Sequence, residues 1–253
     1  MIIDLNCDMG ESYGSKIIGN DEAIMPFISS ANIACGFHGG DPLTIEKTIK
    51  LAIKHGVSIG AHPGYADKEG FGRNKMHLSL EELRATVLYQ VGAVKGMTEA
   101  LGGKLTHVKP HGAMYNSAAG DFEMSLVIAR TIKAIDDKLI LFCLSNSEMV
   151  KAAKHIGLSF ASEVFADRAY NNDGTLVSRN QAGAVINDTE QMIERVLYMI
   201  HNKGVKTITG EIVQLEADTI CIHGDNSSSA EFVKKLHFVL KAEGIEMKSF
   251  VKK

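Results

Sequence analysis

Four histidines of this chain stand beside glycine or proline, at or just past the end of an apolar run: His38, His62, His111 and His223. Asp8 follows the first apolar run in the same way, and Lys109 precedes His111 by two positions. Carboxylates, imidazoles and an amine together suit general acid–base hydrolysis, or a metal ion that activates water. Histidine, with a pKa of about 6.5, can serve in either chemistry.

The polar residues predicted to share one site all stand at or near the ends of apolar runs. They are Asn6, Asp8, His38, His62, Lys109, His111, Glu163, Asp167, Arg168, His223 and Asp225. Some have plainer interpretations: Asp225 could cap the last helix, and Lys109 could face solvent. Arg168 could instead pair with Asp167 or Glu163. As a set, they are too many charges to bury without a ligand, because an unpaired charge in a core is expensive.

A metal version of the site would use Asp8, His38 and His62. These residues lie on separate segments, and nothing has the short fixed spacing of the HExxH motif. We therefore expect no tightly bound metal. The sequence also lacks the GxxxxGK[ST] phosphate loop, the GxGxxG dinucleotide motif and the GxSxG nucleophile motif.

The apolar runs alternate with segments of helical periodicity. Strands are expected at residues 2–6, up to 35, 57–61, 105–108, 139–144, 158–164 and 219–222. Helices are expected at residues 43–55, 80–101, 121–135, 147–155, 188–202 and 227–242. Gly56 is predicted to end the first of these helices, and Ser79 with Glu82 forms a predicted capping box. Seven strands alternating with helices predict a parallel sheet.

Strands from both halves of the chain end in polar residues, and only a closed barrel brings all such ends to one mouth. We therefore predict an α/β fold with a seven-stranded (β/α) barrel, irregular or incompletely closed. A single domain over residues 1–253 is expected, since barrels of about 250 residues are routinely single domains. Residues 65–77 form a long loop, and residues 207–214 a short strand or hairpin. The polar segment 165–185 is expected to form a mobile cover.

The composition limits the classes of function. The net charge of -3, with no basic stripe, argues against nucleic-acid binding. No apolar run is long enough to span a membrane, and no secretory signal is visible, so a cytoplasmic location is predicted. The four cysteines at positions 7, 35, 143 and 221 favour buried reduced thiols over a disulfide pair or a nucleophile.

Several long motifs resemble the LamB/YcsF family over nearly the whole chain. They are DLNCDMGE (residues 4–11), ANIACGFHGGD (31–41), GAHPGY (60–65), VKPHGAMY (108–115) and CIHGD (221–225), with Glu163 and ADRAY (166–170). The resemblance implies a fold similar to the glycoside hydrolase/deacetylase barrels. It also implies ATP-dependent opening of 5-oxo-L-proline to L-glutamate, with this chain as the A subunit of a 5-oxoprolinase whose partner subunits are B and C. ATP with magnesium would then act in the assembled complex, and the missing phosphate loop suggests that the partners handle it.

Given this resemblance, we expect the ring opening to fall to this chain. The expected catalytic residues are Asp8, Lys109, His111, Glu163 and Asp167. Asp8 is the favoured base, and Lys109 with His111 would stabilise the oxygen that gains charge. The expected substrate-binding residues are Asn6, His38, His62, Arg168, His223 and Asp225. Two alternatives stay open: a non-catalytic 5-oxoproline-binding subunit, and a metal-dependent carbohydrate deacetylase suggested by fold analogy alone.

Overall fold

The computed structural model describes residues 1–224 and 229–250. The strands of the described chain are, in order, β1 (Ile2–Met9), β2 (Ser30–Ala34), β3 (Ser58–His62), β4 (Leu105–Val108), β5 (Ile140–Leu144), β6 (Phe160–Phe165), β7 (Gly204–Lys206), β8 (Ile212–Gln214), β9 (Thr219–Ile222) and β10 (Glu246–Met247). β1 to β6 and β9 pair in parallel, and the pairing of β1 with β9 closes the ring. The predicted seven-stranded barrel is therefore confirmed and is closed. Its irregularity is a register shift at Ile59 and Gly60, where β3 pairs with β4.

The helices of the described chain are α1 (Asp21–Ile24), α2 (Pro42–His55), α3 (Leu80–Ala100), α4 (Gly112–Gly120), α5 (Phe122–Ile135), α6 (Glu148–Ile156), α7 (Thr189–Asn202) and α8 (Ser229–Ala242). The predicted caps are confirmed. Gly56 ends α2 with φ 67°, a left-handed conformation that glycine adopts without strain. Ser79 and Glu82 form the capping box that begins α3.

The apolar residues of β1 show how the barrel and its helices share a core. Leu5, Cys7 and Met9 are buried in the main hydrophobic cluster. Their alternation with Asp4, Asn6 and Asp8 follows from the two-residue period of a strand. One face of β1 therefore packs in apolar surroundings, and the other carries polar groups. Among the residues described, no helix has the length and apolar content that crossing a membrane requires.

Two segments depart from the strand–helix alternation, as the sequence predicts. β7 and β8 pair antiparallel, so the expected strand or hairpin near residues 207–214 is a hairpin. The polar segment after β6 is not helical. It folds back on itself through antiparallel bridges between Arg168 and Val185 and between Tyr170 and Leu176. The buried Tyr170 fixes its start by accepting a hydrogen bond from the backbone N–H of Phe165 at 2.8 Å.

Candidate active site

A polar network fills the interior of the barrel beneath the mouth. The side-chain amide of Asn6 donates to Thr219 Oγ1 at 2.7 Å and to Glu163 Oε1 at 3.0 Å. β9 lies between β1 and β6, so the contact with Glu163 skips one strand on the inside of the barrel. Asn32 on β2 donates to Asn6 Oδ1 at 2.7 Å and to Asp8 Oδ1 at 2.8 Å. These bonds satisfy groups that would be costly to bury alone.

Lys109, just beyond β4, is the central cation of this network. Its Nζ lies 2.9 Å from Asp8 Oδ1, 3.1 Å from Glu163 Oε1 and 2.9 Å from Cys221 Sγ. Burial lowers the pKa of Lys109, but Asp8, Cys221 and Glu163 outweigh that effect and raise it well above its usual range. The side chain is therefore a fixed ammonium, buried in the barrel rather than facing solvent.

Glu163 holds Lys109 in place and does not line the cavity at the mouth. Its Oε1 accepts from Asn6, and its Oε2 accepts from the hydroxyl of Tyr115 at 2.6 Å. Tyr115 belongs to α4, a helix that is not among those predicted from the sequence. Both oxygens of Glu163 are thus engaged within the protein. Its arrangement is that of a buried counter-ion.

Asp8 lies at the boundary between this network and the cavity. Its Oδ1 is engaged by Lys109 and Asn32, whereas its Oδ2 lies 3.3 Å from His62 Nε2. Burial raises the pKa of Asp8, but His62 and Lys109 outweigh burial and hold the pKa well below its usual range. A carboxylate stabilised in this way stays ionised and is a weak proton acceptor.

Three of the predicted histidines converge beside Asp8. His62 Nδ1 donates to the carbonyl of Lys109 at 2.6 Å, and His111 Nε2 donates to the carbonyl of Phe71 at 2.8 Å. Their other ring nitrogens face each other at 2.9 Å. His38 stacks on His111 with ring centroids 3.7 Å apart, and its Nε2 lies 3.3 Å from Glu11 Oε1. Burial and the neighbouring imidazoles hold the pKa of His38 and of His111 well below the usual range.

The fourth histidine forms a separate pair with an aspartate. His223 Nδ1 lies 2.7 Å and 3.0 Å from the two carboxylate oxygens of Asp167. Burial raises the pKa of Asp167, but His223 outweighs it and the pKa is lowered. A carboxylate at Nδ1 fixes the tautomer and orientation of an imidazole, which is the arrangement of a general base. The ring of His223 lines the cavity.

The cavity at the mouth has a volume of about 600 Å³ and is rich in cations. Arg73, Arg168 and Arg179 line it, together with Lys109 and Lys75. Burial, followed by the charge of Arg179, lowers the pKa of Arg168 to about 10. Arg168 donates to the carbonyl of Val177 at 2.6 Å, and its Nε has no hydrogen-bond partner among the described residues. The cavity is therefore suited to an anionic ligand.

The structure divides the predicted site residues into three groups. Those that line the cavity are Asp8, His62, Lys109, His111, Arg168 and His223. Those that contact a lining residue without lining the cavity are Asn6, His38, Glu163 and Asp167. Asp225 lies outside the described residues.

Several members of the site were not predicted from the sequence. Asn32 stands inside the ANIACGFHGGD motif, two residues after Ser30, and this alternation was the available signal. Glu11 shares the first motif with Asp8, but its position alone does not favour the site over solvent. Arg73 lies in the charged loop at residues 65–77, whose length alone pointed to function. Nothing in the sequence singles out Arg179 or the role of Tyr115.

Comparison with known proteins gives relatives along nearly the whole chain. The A subunit of 5-oxoprolinase from Geobacillus thermodenitrificans is 50% identical over 250 residues, covering 99% of this chain and 97% of that protein. The crystal structure of a lactam utilization protein from Thermus thermophilus superposes with a TM-score of 0.93 at 43% identity, covering 99% of this chain and 100% of that one.

A more distant likeness concerns the fold alone. The catalytic domain of a peptidoglycan N-acetylglucosamine deacetylase from Eubacterium rectale superposes with a TM-score of 0.54 at 10% identity, covering 99% of this chain and 89% of that one. It confirms the expected similarity to deacetylase barrels. The family model described as LamB/YcsF matches residues 3–253. The chain therefore belongs to the LamB/YcsF family.

Proposed function

We propose that this chain carries the ring-opening step of an ATP-dependent 5-oxoprolinase, which converts 5-oxo-L-proline to L-glutamate. The relatives are named as the A subunit of 5-oxoprolinase, so the chain is one component of a multi-subunit enzyme. The observation that carries the proposal is the mouth of the barrel. There the fixed ammonium of Lys109 and the Asp167–His223 pair border one cavity that is rich in cations.

The substrate brings a carboxylate and a lactam oxygen to this cavity. We assign the carboxylate to Arg168, because a guanidinium can bind a carboxylate through two parallel hydrogen bonds. Arg168 is buried and lines the cavity, and its Nε is still unpartnered among the described residues. Lys109 on the cavity floor is a fixed donor that borders the same cavity as the candidate base, so we assign the lactam oxygen to it.

Ring opening breaks the bond between the ring nitrogen and the lactam carbonyl carbon and adds water across it. The barrier of an amide hydrolysis has to fall by an amount in the usual range for enzymes, ~8–23 kcal/mol. A preorganised donor to the oxygen that gains charge contributes roughly 3–4 kcal/mol. Lys109 can supply this by turning one of its three N–H groups, which are engaged by Asp8, Glu163 and Cys221, towards the lactam oxygen. The expected contribution of His111 is not supported by the geometry, because both of its ring nitrogens are engaged within the protein.

The base that accepts the proton of the attacking water is better assigned to His223 than to Asp8. Asp8 was the favoured base from the sequence, but His62 and Lys109 outweigh burial and hold its pKa well below the usual range, which makes it a weak base. His223 is held by Asp167 and faces the cavity. In this proposal Asp8 fixes the ammonium of Lys109 where the oxygen charge develops. The proton taken by His223 is then available to the leaving nitrogen.

ATP, with magnesium, is proposed to be bound and cleaved in the assembled complex, on the two partner subunits, B and C. The support is the absence of the GxxxxGK[ST] motif from this sequence. Transfer of the terminal phosphoryl group of ATP to the lactam oxygen would release ADP and make the ring carbon electrophilic. Water would then add to that carbon, and the ring C–N bond would break to leave a free amino group and an acyl phosphate. A second water would hydrolyse the acyl phosphate to L-glutamate and inorganic phosphate. Arg73 and Arg179 give the cavity the positive charge that such an activated substrate requires.

The test of the proposed function is 5-oxoproline turnover, with and without ATP, by this chain alone, by the partners alone and by all three together. Glutamate should form only with ATP and the complete set. In that complex, His223→Gln and Asp167→Asn should each lower turnover by ~100-fold or more, and the double variant should lose little beyond either single one. His201→Gln, an exposed histidine, is the matched control. Normal turnover in either single variant would remove the pair from the mechanism.

A further inference from the structure

We propose that Glu11, His38, His62 and His111 form a binding site for one divalent transition-metal ion of the zinc type. The four residues are 0–5% exposed, and one ligand atom from each lies within 4.8 Å of all the others. The expectation of no tight metal rested on the histidines standing on separate segments of the sequence. Closure of the barrel brings them together. The site is adjacent to Asp8 and does not depend on the proposed function.

The hydrogen bonds of two histidines already have the pattern of metal ligands. A carbonyl oxygen only accepts, so His62 Nδ1 and His111 Nε2 must carry the hydrogens that they donate to Lys109 and Phe71. In neutral rings the two remaining nitrogens then present lone pairs to each other across 2.9 Å. Two lone pairs at this distance repel, so the geometry requires either a proton between the two nitrogens or a metal ion beside them. Histidines that bind metals usually anchor the opposite N–H on a carbonyl or carboxylate in this way.

Three of the six separations within the cluster are close to those of a tetrahedral ion. Metal–ligand bonds of about 2.0–2.1 Å imply ligand atoms roughly 3.3 Å apart in a tetrahedron. Glu11 Oε1 lies 3.3 Å from His38 Nε2 and 3.7 Å from His111 Nδ1. The separation of His111 Nδ1 from His62 Nε2 is 2.9 Å. Three imidazoles and one carboxylate favour zinc or a neighbouring transition metal over magnesium or calcium, which prefer oxygen ligands.

Two glycines allow the backbone to close around these rings. Gly72 has φ +64°, and a Cβ there would lie 2.7 Å from both His38 Cβ and His111 Cδ2. A Cβ at Gly64 would lie 2.7 Å from His38 Nδ1. The long loop that contains Gly72 also supplies the carbonyl of Phe71 that anchors His111. The packing therefore holds the three imidazoles close together, but His38 and His111 lie as parallel rings 3.7 Å apart, so one of the two must turn for both to bind the same ion.

A second group of possible ligands, Asp8, Cys221 and His223, is not the proposed site. The ammonium of Lys109 lies 2.9 Å from both Asp8 Oδ1 and Cys221 Sγ. A cation is therefore already present among those ligands. In the histidine cluster, by contrast, the ring nitrogens of His62 and His111 face each other directly.

The test measures metal binding directly, so its failure and that of the proposed function are distinguishable. The full chain, without an affinity tag, is stripped with a chelator and titrated separately with zinc(II), cobalt(II) and magnesium(II). We expect about one equivalent of zinc or cobalt, the visible absorption bands of tetrahedral cobalt(II), and no binding of magnesium. His38→Gln, His111→Gln and the isosteric Glu11→Gln should each weaken zinc binding at least ~100-fold. His155→Gln, an exposed histidine, is the matched control and should bind normally.

Circular dichroism of each variant shows whether it is folded, so that a loss of zinc binding is not confused with unfolding. A folded wild-type chain that takes up less than about one-tenth of an equivalent of zinc would overturn the proposal, since the two facing histidines would then share a proton instead. Unchanged zinc affinity in folded His38→Gln and Glu11→Gln would also overturn it, because the ion would be bound elsewhere. If the His111 variant fails to fold, Glu11→Gln alone decides, as it preserves the shape of the site.

Discussion

Lys109 is the residue on which the other charges at the mouth depend. Asp8 and Glu163 are both buried, and each has Lys109 as an ion-pair partner, at 2.9 Å and 3.1 Å. The pairing also explains why the interior can be polar, since bonded groups avoid the cost of burying an unpaired charge. Lys109 also borders the cavity, so the side chain that stabilises the buried carboxylates is the one proposed to act on the substrate.

Replacing Lys109 by methionine should destabilise the protein strongly. The substitution preserves most of the volume but leaves two buried carboxylates without their cation, an effect of about 3–5 kcal/mol for a broken buried pair. The free energy of unfolding from urea titration at neutral pH is the measurement. Lys104→Met, at an exposed lysine just before β4, should change it little. An equally small change at Lys109 would show that the carboxylates do not need this cation.

His107 predicts a pH dependence of stability. Burial, followed by the charge of Lys109, lowers its pKa to about 3 from 6.5. In the folded protein the His107 ring stays neutral, whereas in the unfolded chain it takes up a proton below pH 6.5. The free energy of unfolding therefore has its full value, as far as His107 is concerned, above pH 6.5. The contribution of His107 is lost as pH falls towards 3, by roughly 1.4 kcal/mol per pH unit.

The measurement is urea unfolding at about pH 7 and about pH 5 for the wild type and for His107→Gln. The variant should lose less stability between the two pH values, whatever its absolute stability. Asp4 acts in the opposite direction, because burial raises its pKa from 3.8 to about 6. The stability that Asp4 contributes is complete below pH 3.8 and is lost as the pH rises through 6. Asp4 is present in both the wild type and His107→Gln, so the difference between their pH dependences reports on His107. Equal pH slopes would contradict the prediction.

At the residue scale, the sequence predicted several of the residues that meet at the mouth but not how they are bonded. The histidines and Asp8 are predictable members of the site because each stands at a strand end. The polar face of β1 could be predicted from the sequence, since Asp4, Asn6 and Asp8 alternate with apolar residues. The ion pair of Asp8 with Lys109 could not, because it joins strands that are far apart in the chain. Because this contact helps to keep Asp8 ionised and weakly basic, we assign the base to His223 instead.

At the scale of elements, the strands and long helices followed from periodicity and caps, with ends shifted by a few residues. α4, which begins at Gly112, was not among the predicted helices. It matters for the site, since it positions Tyr115 against Glu163. β10 has only two residues and no pattern of its own, and it becomes a strand only by pairing with Ile2 and Ile3 of β1.

The segment at residues 165–185 is predicted to cover the site and to become more ordered when substrate binds. Ser178, Arg179 and Gln181 from this segment line the cavity, so a ligand there contacts it directly. Limited proteolysis should cut within it more slowly in the presence of 5-oxoproline, ATP and the partners than in their absence. A cut in an exposed loop, near Lys138, should be unaffected and is the internal control. Equal rates at residues 165–185 under both conditions would contradict the cover.

At the scale of the whole molecule, the barrel was predictable because polar residues end strands in both halves of the chain. Its closure through β1 and β9 is what brings Asp167 and His223 to the same mouth as Lys109 and His62. The partner subunits could not be located from the sequence, since no surface pattern marks them. The polar filling of the barrel interior also distinguishes it from barrels whose inner layers are branched apolar residues.

The most direct test of the central claim is the rate of glutamate formation from 5-oxoproline by the complete ATP-supplied complex containing Asp8→Asn. The variant keeps the size of the side chain but removes the charge that fixes Lys109, and Asp137→Asn, at an exposed aspartate, is its control. We predict assembly with the partners as for the wild type, and a fall in turnover at saturating substrate of ~100-fold or more. Near-normal turnover would contradict the role of Asp8 in fixing Lys109, and a change in apparent substrate affinity alone would favour a subunit that binds 5-oxoproline for its partners.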